Sequence, residues 1–400
     1  MASCAQGLQT AAVEGPLRGV PETRAFIDSV RRSLSIPGMA VTVVHGGSVI
    51  MREGFGMADV EAGIPATSDT KFRVGSVSKL FTAVALMRLA EGGLVDLDAP
   101  LSRYLDPYPK HWPELTLRKL AGHTGGVRHY RGAEFFSTKE YSSLRDAIGI
   151  FLEDTLRFVP GTRYAYSSYG FNLIGAVMES VSSESFPVLM QRIVFAPLQL
   201  TNTVPDSSGR TIEGRSKLYS VNADGVTATR QDNLSSRWPS GGYLSSTSDL
   251  ARFASVAIAP GFLSVESIEQ MFTPQRLTGG DTTTVGIGWR VGSDSAGRHF
   301  YHHGGTSNGG AAFLLVYPRE ALIIAIASNA FGTWSTPEAL RVASFFLERI
   351  IPPAAPRSGR RARLGTRVPP PRPTTQPITR GTDEPSAMRM LNSRFLCATS

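Results

Sequence analysis

Two serine–lysine pairs in the N-terminal half of the chain have a spacing that can support nucleophilic catalysis. They lie at residues 68–71 (SDTK) and 76–79 (SVSK), and both fit the pattern S-x-x-K. Only the second pair is followed by a long apolar run, which predicts that it opens a buried helix. Ser76 and Lys79 would then share one face of that helix, because residues three apart are neighbours. The first pair is predicted to lie in a turn.

A lysine in the first turn of an apolar helix needs an explanation. Burial lowers the pKa of a lysine, and the positive end of the helix dipole acts in the same direction. A partly neutral Lys79 could therefore accept the hydroxyl proton of Ser76, whose own N–H could face a developing oxyanion. The alternative is a helix-capping serine beside a lysine whose amine reaches solvent. This stretch alone leaves both interpretations open.

Two further segments contain residue types that would complement a nucleophilic serine. Tyr166 follows a Pro-Gly turn and precedes a helical pattern, and it could act as a second base or a proton shuttle if a nearby cation lowers its pKa. The alternative is an ordinary core tyrosine. Residues 302–310 (HHGGTSNGG) read as a strand that ends in glycines, where a substrate backbone could approach closely.

A third serine, Ser307, formally matches the pattern G-x-S-x-G. That motif requires a turn from a strand into a helix, and an acid and then a histidine downstream. The last histidine of the chain, His303, precedes Ser307, and another strand is expected to follow. The sequence therefore argues against an α/β-hydrolase.

Three histidines in one segment could suggest a metal site. On a strand, His299 and His303 would face one side and His302 the other, so the three would not converge. The sequence therefore predicts neither a metal nor a cofactor. His123, in GHTGG, is expected to order a loop by hydrogen bonding.

The order and spacing of these motifs resemble the serine β-lactamase and penicillin-binding-protein superfamily, in particular the class C β-lactamase-like serine hydrolases. The resemblance extends from about residue 21 to residue 351 and includes residues 115–130 and 241–253. It implies that Ser76 is the acyl-accepting nucleophile, Lys79 its proton partner and Tyr166 the general base.

The same resemblance implies the remaining site residues. The N–H groups of Ser76 and Thr306 would form the oxyanion hole. The residues implied in substrate binding are Ser168, His303, Gly304 and Gly305.

Two departures from the family pattern affect the expected substrate. Ser168 stands where the Y-x-N element has an amide, and His303 replaces the lysine of K-T-G with an imidazole that ordinarily titrates near neutrality. Both changes favour an acyl hydrolase that acts on an ester or peptide (amide) bond through an acyl-serine. The alternatives are a true class C-type β-lactamase or D-alanyl-D-alanine carboxypeptidase, and a non-catalytic binding or filament-forming module on the same fold.

The pattern of elements predicts an α+β fold, an antiparallel sheet flanked by helices with a helical lobe inserted. Strand patterns occur near residues 39–56 and 286–329, and helical patterns dominate between them. The chain is divided into a flexible N-terminus (1–20), a β-lactamase-like catalytic domain (21–351, with the helical lobe at about 95–245) and a disordered Pro/Arg-rich tail (352–400).

Charge and composition narrow the possible partners. The tail carries nine arginines and two acids, so it accounts for +7 of the net charge of +8 and leaves the body near +1. A nucleic-acid partner is therefore not expected for the folded body. The family resemblance implies a small-molecule or peptide acyl substrate as its partner. No transmembrane segment or signal peptide is visible, which predicts a cytoplasmic chain, or an exported one if the N-terminus is incomplete. The two cysteines, Cys4 and Cys397, imply no disulfide framework.

Overall fold

A seven-stranded antiparallel sheet forms the centre of the fold. The structure, a computed structural model, describes residues 19–257, 259–331 and 335–347. Its helices are α1 (Val20–Ser33), α2 (Ser78–Glu91), α3 (Leu117–Ala121), α4 (Leu144–Ile148), α5 (Ser168–Ser182), α6 (Phe186–Met190), α7 (Trp238–Gly241), α8 (Thr247–Ala254), α9 (Val265–Phe272) and α10 (Thr336–Leu347). Its strands are β1 (Gly38–His45), β2 (Ser48–Asp59), β3 (Ile64–Pro65), β4 (Phe72–Arg73), β5 (Val204–Pro205), β6 (Tyr219–Asn222), β7 (Gly225–Ala228), β8 (Tyr243–Ser245), β9 (Arg290–Ser293), β10 (His299–Ser307), β11 (Gly310–Tyr317) and β12 (Leu322–Ser328).

The sheet joins strands from both ends of the described chain. Its order is β3-β2-β1-β12-β11-β10-β9, and β1 pairs antiparallel with β12, with Val41 opposite Ile326. This confirms the expected α+β architecture, in which strands near the two ends of the fold share one sheet. Two small sheets, β4-β8-β5 and β6-β7, lie outside it.

Helices cover both faces of the sheet because its central strands are apolar on both sides. Along β12, Ile324 and Ile326 pack in the cluster that contains Ile27 of α1 and Val342 of α10. The alternate residues, such as Ala325, face the larger cluster that contains α2 and α5. A strand presents successive side chains to opposite faces, so a nearly continuous apolar run fits a sheet covered twice.

One predicted strand begins later than the sequence suggests. The segment 286–291 (GIGWRV) was expected to form a strand throughout, but β9 begins only at Arg290. The preceding backbone bonds elsewhere: the N–H of Ile287 donates to Met271 at 2.9 Å and that of Gly288 to Ala121 at 3.2 Å. Trp289 is fully buried against the helical side. Tertiary contacts thus replace sheet pairing here.

The terminal segments lie largely outside the described residues. This applies to residues 1–18 of the predicted flexible N-terminus and to the whole predicted tail, 352–400. The expected lobe at about 95–245 contains α3 to α7 but also β5 to β8, and its limits stay a prediction. No helix in the described ranges is long and apolar enough to cross a membrane.

A buried group of ion pairs connects segments distant in sequence. Arg73, which is fully buried, donates from Nε to Asp206 at 2.5 Å and also pairs with Asp232. Asp232 in turn pairs with Arg237, and Arg73 donates to the carbonyl oxygen of Asn308 at 3.0 Å. We call these residues the Arg73 cluster. It joins β4 to the turn between β10 and β11 and to the start of α7.

Removal of a carboxylate from the Arg73 cluster should lower the free energy of unfolding substantially. Asp232→Ala leaves two buried guanidinium groups without that partner, and we expect a loss of about 3–5 kcal/mol in the free energy of unfolding. The measurement is equilibrium unfolding in urea. The matched control is Asp98→Ala, which breaks a bidentate pair with Arg118 at 2.7 and 2.8 Å where the aspartate side chain is 61% exposed. It should cost at most about 1 kcal/mol. Equal losses in the two variants would contradict this account.

Candidate active site

Ser76 and Lys79 lie at the start of α2 with their polar atoms in contact. Ser76 is in a 3₁₀ turn, Gly75–Val77, that leads directly into the helix, and Lys79 Nζ is 3.2 Å from Ser76 Oγ. The N-cap residue of α2 is Val77, and no side chain makes a capping hydrogen bond to the first turn. The interpretation of Ser76 as a helix cap therefore does not hold.

Lys79 is completely buried, so its amine does not reach solvent. Eleven of the fourteen residues of α2 are buried, which closes the routes by which a lysine side chain could extend outward. The amine is held by three oxygens: it donates to Ser76 Oγ, to Ser168 Oγ at 3.0 Å and to the Ser240 carbonyl at 2.6 Å. Burial, assisted by the positive charge of Arg290, lowers the pKa of Lys79 to about 7. A substantial neutral fraction then exists at neutral pH.

Tyr166 lies beside this amine. Lys79 Nζ is 4.9 Å from the centroid of the Tyr166 ring. Burial raises the pKa of Tyr166, and the opposing effects of the Ser76 hydroxyl and Arg290 are smaller. The use of Tyr166 as a base required a nearby cation to lower its pKa. Because the pKa is raised instead, this condition is not met. The phenol is protonated near neutrality and is suited to donating or relaying a proton.

The N-terminal end of α5 fixes the position of Tyr166. Ser167 caps the helix, with its Oγ accepting the N–H of Gly170 at 3.0 Å. His123 Nδ1 accepts the N–H of Ser167, and His129 Nδ1 accepts that of Ser168, each at 3.2 Å. His123 thus makes the kind of ordering hydrogen bond that the sequence suggested. Burial lowers the pKa of both histidines, to about 3 for His129, so both rings are neutral.

Strand β10 passes against the turn that carries Ser76. A Cβ at Gly305 would be 1.9 Å from the Val74 carbonyl oxygen and 2.8 Å from Ser76 N, so only glycine fits. Gly75, with φ +50°, has the same constraint, because its Cβ would be 2.6 Å from Thr306 N. The amide groups of Ser76 and Thr306 are therefore neighbours, as an oxyanion hole requires.

The remaining substrate-binding candidates border the same space. Ser168 stands where the family pattern has an amide side chain. Its hydroxyl accepts a hydrogen bond from Lys79, so the contact expected of the amide is kept. His303, on β10, is 3% exposed, and its ring centroid is 6.2 Å from that of Tyr166. Burial, with Arg290 and Lys79 nearby, lowers the pKa of His303 well below its ordinary value. The expectation of an imidazole that titrates near neutrality is therefore wrong, and His303 is neutral. Gly304 lies between His303 and Gly305 in β10.

Two residues that the sequence did not single out also border the cleft. Arg290, the first residue of β9, has its guanidinium carbon 5.7 Å from the Tyr166 ring centroid. Tyr130 places its hydroxyl 3.3 Å from Ser240 Oγ, on the residue whose carbonyl binds Lys79. Neither was predicted as a site residue, although Tyr130 ends the segment 115–130 that the family resemblance includes, because each reaches the site through the packing of its segment.

The other candidates lie apart from this arrangement. Ser68 accepts a hydrogen bond from Arg52 at 3.0 Å in a turn, and Ser307 ends β10 just before β11 rather than a helix. The His302 ring stacks on Phe313, away from His303. Within the described ranges, no three His, Cys, Asp or Glu side chains form a group that could hold a metal ion.

Comparisons with known proteins bear on the family and the fold of this chain. A family model described as Beta-lactamase matches residues 23–345. The chain is 26% identical to the serine beta-lactamase-like protein LACTB, mitochondrial, of Homo sapiens, over 76% of this chain and 73% of that protein. The fold is similar to that of the octameric penicillin-binding protein homologue from Pyrococcus abyssi, with a TM-score of 0.72, 24% identity and coverage of 82% and 77% of the two chains. It is also similar to that of a D-stereospecific amidohydrolase from Streptomyces, with a TM-score of 0.69, 21% identity and coverage of 80% and 97%.

The family match spans most of the chain and includes every residue of the Ser76–Lys79–Tyr166 arrangement. The TM-scores of 0.72 and 0.69 show that the two solved structures share the fold of this chain. The chain belongs to the Beta-lactamase family of serine hydrolases.

Proposed function

We propose that this protein hydrolyses an ester or amide bond through a covalent acyl-serine intermediate on Ser76. The observation that supports this most directly is the buried amine of Lys79, 3.2 Å from the Ser76 hydroxyl, with a pKa lowered to about 7. A buried amine of this kind is costly unless it is hydrogen-bonded, and here it is positioned beside a nucleophile. A non-catalytic module would gain nothing from such an arrangement.

In the acylation step, neutral Lys79 takes the proton of Ser76 as the serine oxygen attacks the substrate carbonyl. The N–H groups of Ser76 and Thr306 stabilise the oxyanion that forms. When the intermediate collapses, the carbonyl–leaving group bond breaks, and the phenol of Tyr166 donates a proton to the departing nitrogen or oxygen. The Lys79 ammonium then returns its proton to Tyr166, so the acyl-enzyme retains a neutral lysine and a protonated phenol.

In the deacylation step, water attacks the acyl-serine carbonyl and its proton passes to Lys79. The same two N–H groups hold the second oxyanion. Collapse breaks the bond to Ser76 Oγ, which recovers a proton from Lys79 as the carboxylic acid product leaves. The pKa values of Lys79 and Tyr166 differ in the direction this cycle needs, with the amine as base and the phenol as acid.

Ser76→Ala should abolish turnover. We expect kcat/KM to fall by at least about 10³-fold, because the covalent route is lost. The assay compares short-chain p-nitrophenyl esters, peptides and the β-lactam nitrocefin. An active-site acylating probe mapped by mass spectrometry should label Ser76 in the folded protein. The matched control is Ser68→Ala, which alters the other S-x-x-K serine and should leave labelling and turnover unchanged. Unchanged activity in Ser76→Ala, or absence of label on Ser76, would remove the proposal.

The pH dependence of kcat/KM should follow the ionisation of Lys79. The neutral amine is the base, so the rate should rise as pH increases through about 7, the lowered pKa of Lys79. The measurement is a profile of kcat/KM between about pH 5 and pH 9. Lys79→Arg, whose guanidinium cannot be deprotonated, should be inactive throughout this range. A rate that rises only near the ordinary lysine pKa of about 10.4 would exclude Lys79 as a base with lowered pKa.

A further inference from the structure

His123 contacts the chain on both sides of Tyr166. Its backbone carbonyl oxygen accepts the N–H of Ala165 at 2.9 Å, and its ring Nδ1 accepts the N–H of Ser167 at 3.2 Å. The centroid of its ring is 4.4 Å from that of Tyr166. One residue therefore binds both neighbours of Tyr166 and packs against the side chain between them.

The backbone of His123 has a conformation that few non-glycine residues adopt. Its φ of +59° lies in the left-handed region. Hydrogen bonds fix this turn: the N–H of His123 donates to the Leu120 carbonyl at 3.1 Å, and that of Thr124 donates to the Lys119 carbonyl at 2.8 Å. The Thr124 carbonyl in turn accepts the N–H of Gly161 at 2.8 Å. Such a conformation persists where the surrounding structure enforces it, and positions of this kind cluster at functional sites.

The imidazole of His123 is held in one neutral form. Burial, with Lys79 and Arg290 nearby, lowers the pKa of His123 well below its ordinary value, so only one ring nitrogen carries a proton. Because Nδ1 accepts the N–H of Ser167, that proton is on Nε2. Among the described residues, the buried Nε2 has no hydrogen-bond partner. A buried N–H without a partner lowers stability, so stability alone does not account for a histidine at this position.

We propose that His123 is a positioning residue that directs the phenol of Tyr166 toward the leaving group. This rests on the proposed function, in which Tyr166 gives its proton to the departing nitrogen or oxygen. A misplacement of about 1 Å at a reacting group can cost about 10²-fold in rate, so the backbone on either side of Tyr166 has to be held firmly. Nδ1 of His123 holds the Ser167 side, where the chain enters α5. Loss of this acceptor should therefore slow a substrate in proportion to its need for a proton on the leaving group.

The test uses phenyl esters that share one acyl group and differ only in the leaving group. The p-nitrophenolate leaves readily as an anion, whereas the more basic p-methoxyphenolate gains more from protonation by a general acid. The readout is the ratio of kcat/KM for the p-nitrophenyl ester to kcat/KM for the p-methoxyphenyl ester. This ratio does not depend on the fraction of protein that is active.

Three variants separate the acceptor from the rest of the residue. His123→Gly removes Nδ1 and the ring but keeps the backbone carbonyl, and glycine adopts a positive φ without strain. We expect it to raise the ratio about 10-fold, through a loss of rate on the p-methoxyphenyl ester. His123→Asn places Oδ1 near the position of Nδ1 and tolerates the left-handed conformation, so it should return the ratio close to the wild-type value. Tyr166→Phe, which removes the acid itself, should raise the ratio at least as much as His123→Gly.

The matched control is Ser183→Gly. Ser183 has a φ of +58° and follows the C-terminal end of α5, so this variant makes the same backbone change at the opposite end of the helix that begins beside Tyr166. It should keep the wild-type ratio. Unfolding in urea and labelling of Ser76 check that each variant is folded. If His123→Gly does not fold, His123→Leu, which keeps most of the ring volume but lacks the acceptor, takes its place in the comparison.

The outcomes separate this inference from the proposed function. If Tyr166→Phe raises the ratio but loss of the acceptor at His123 lowers kcat/KM equally for both esters, His123 has only a structural role and the inference fails. It also fails if His123→Asn raises the ratio as much as His123→Gly. A wild-type ratio in Tyr166→Phe would instead overturn the acid role of Tyr166, and this inference with it. Failure of Ser76 to label in the wild-type protein overturns the proposed function itself.

Discussion

The buried ion pairs of the Arg73 cluster hold together the segments that meet at the active site. Only Val74 separates Arg73 from the turn that carries Ser76, and Arg73 also donates to the carbonyl oxygen of Asn308 in the turn that follows β10. Through Asp232 it is linked to Arg237, at the start of the short helix whose Ser240 carbonyl accepts from Lys79. Charges taken out of water are tolerated only when they are paired, so these segments are fixed relative to one another.

Burial has opposite effects on the pKa values of Lys79 and Tyr166, the two groups that we propose transfer protons at this site. Because it disfavours the charged form, it lowers the pKa of Lys79 and raises that of Tyr166. An amine that is half neutral and a phenol that keeps its proton are complementary near neutral pH. A single buried environment thereby produces the difference in pKa on which the proposed roles of base and acid depend. The neutral histidines that surround Tyr166 preserve this balance, because they add no charge of their own.

The two departures from the family pattern, Ser168 and His303, have to be interpreted together with the groups that surround them in the folded protein. Ser168 lacks the amide of Y-x-N, yet its hydroxyl still accepts from Lys79. His303 lacks the charge of a lysine, yet Arg290 brings a cation to the same cleft from the adjacent strand. The loss of a residue type at one position therefore does not establish the loss of its physical role. A side chain with the same charge or hydrogen-bonding capacity can supply that role from another segment of the fold.

The architecture was predictable from the sequence because it follows from local patterns. Strand patterns near residues 39–56 and 286–329 predicted β1, β2 and β10 to β12, and a spacing of three residues predicted that Ser76 and Lys79 are neighbours. Arg290 and Ser240 had no such pattern, since their places at the site arise from contacts between segments far apart in the chain. The pKa values of Tyr166 and His303 were also beyond the sequence, because burial depends on everything that packs around a side chain. The sequence by itself thus determined the elements and the pairing of Ser76 with Lys79, whereas tertiary packing determined the protonation states and the remaining neighbours of this pair.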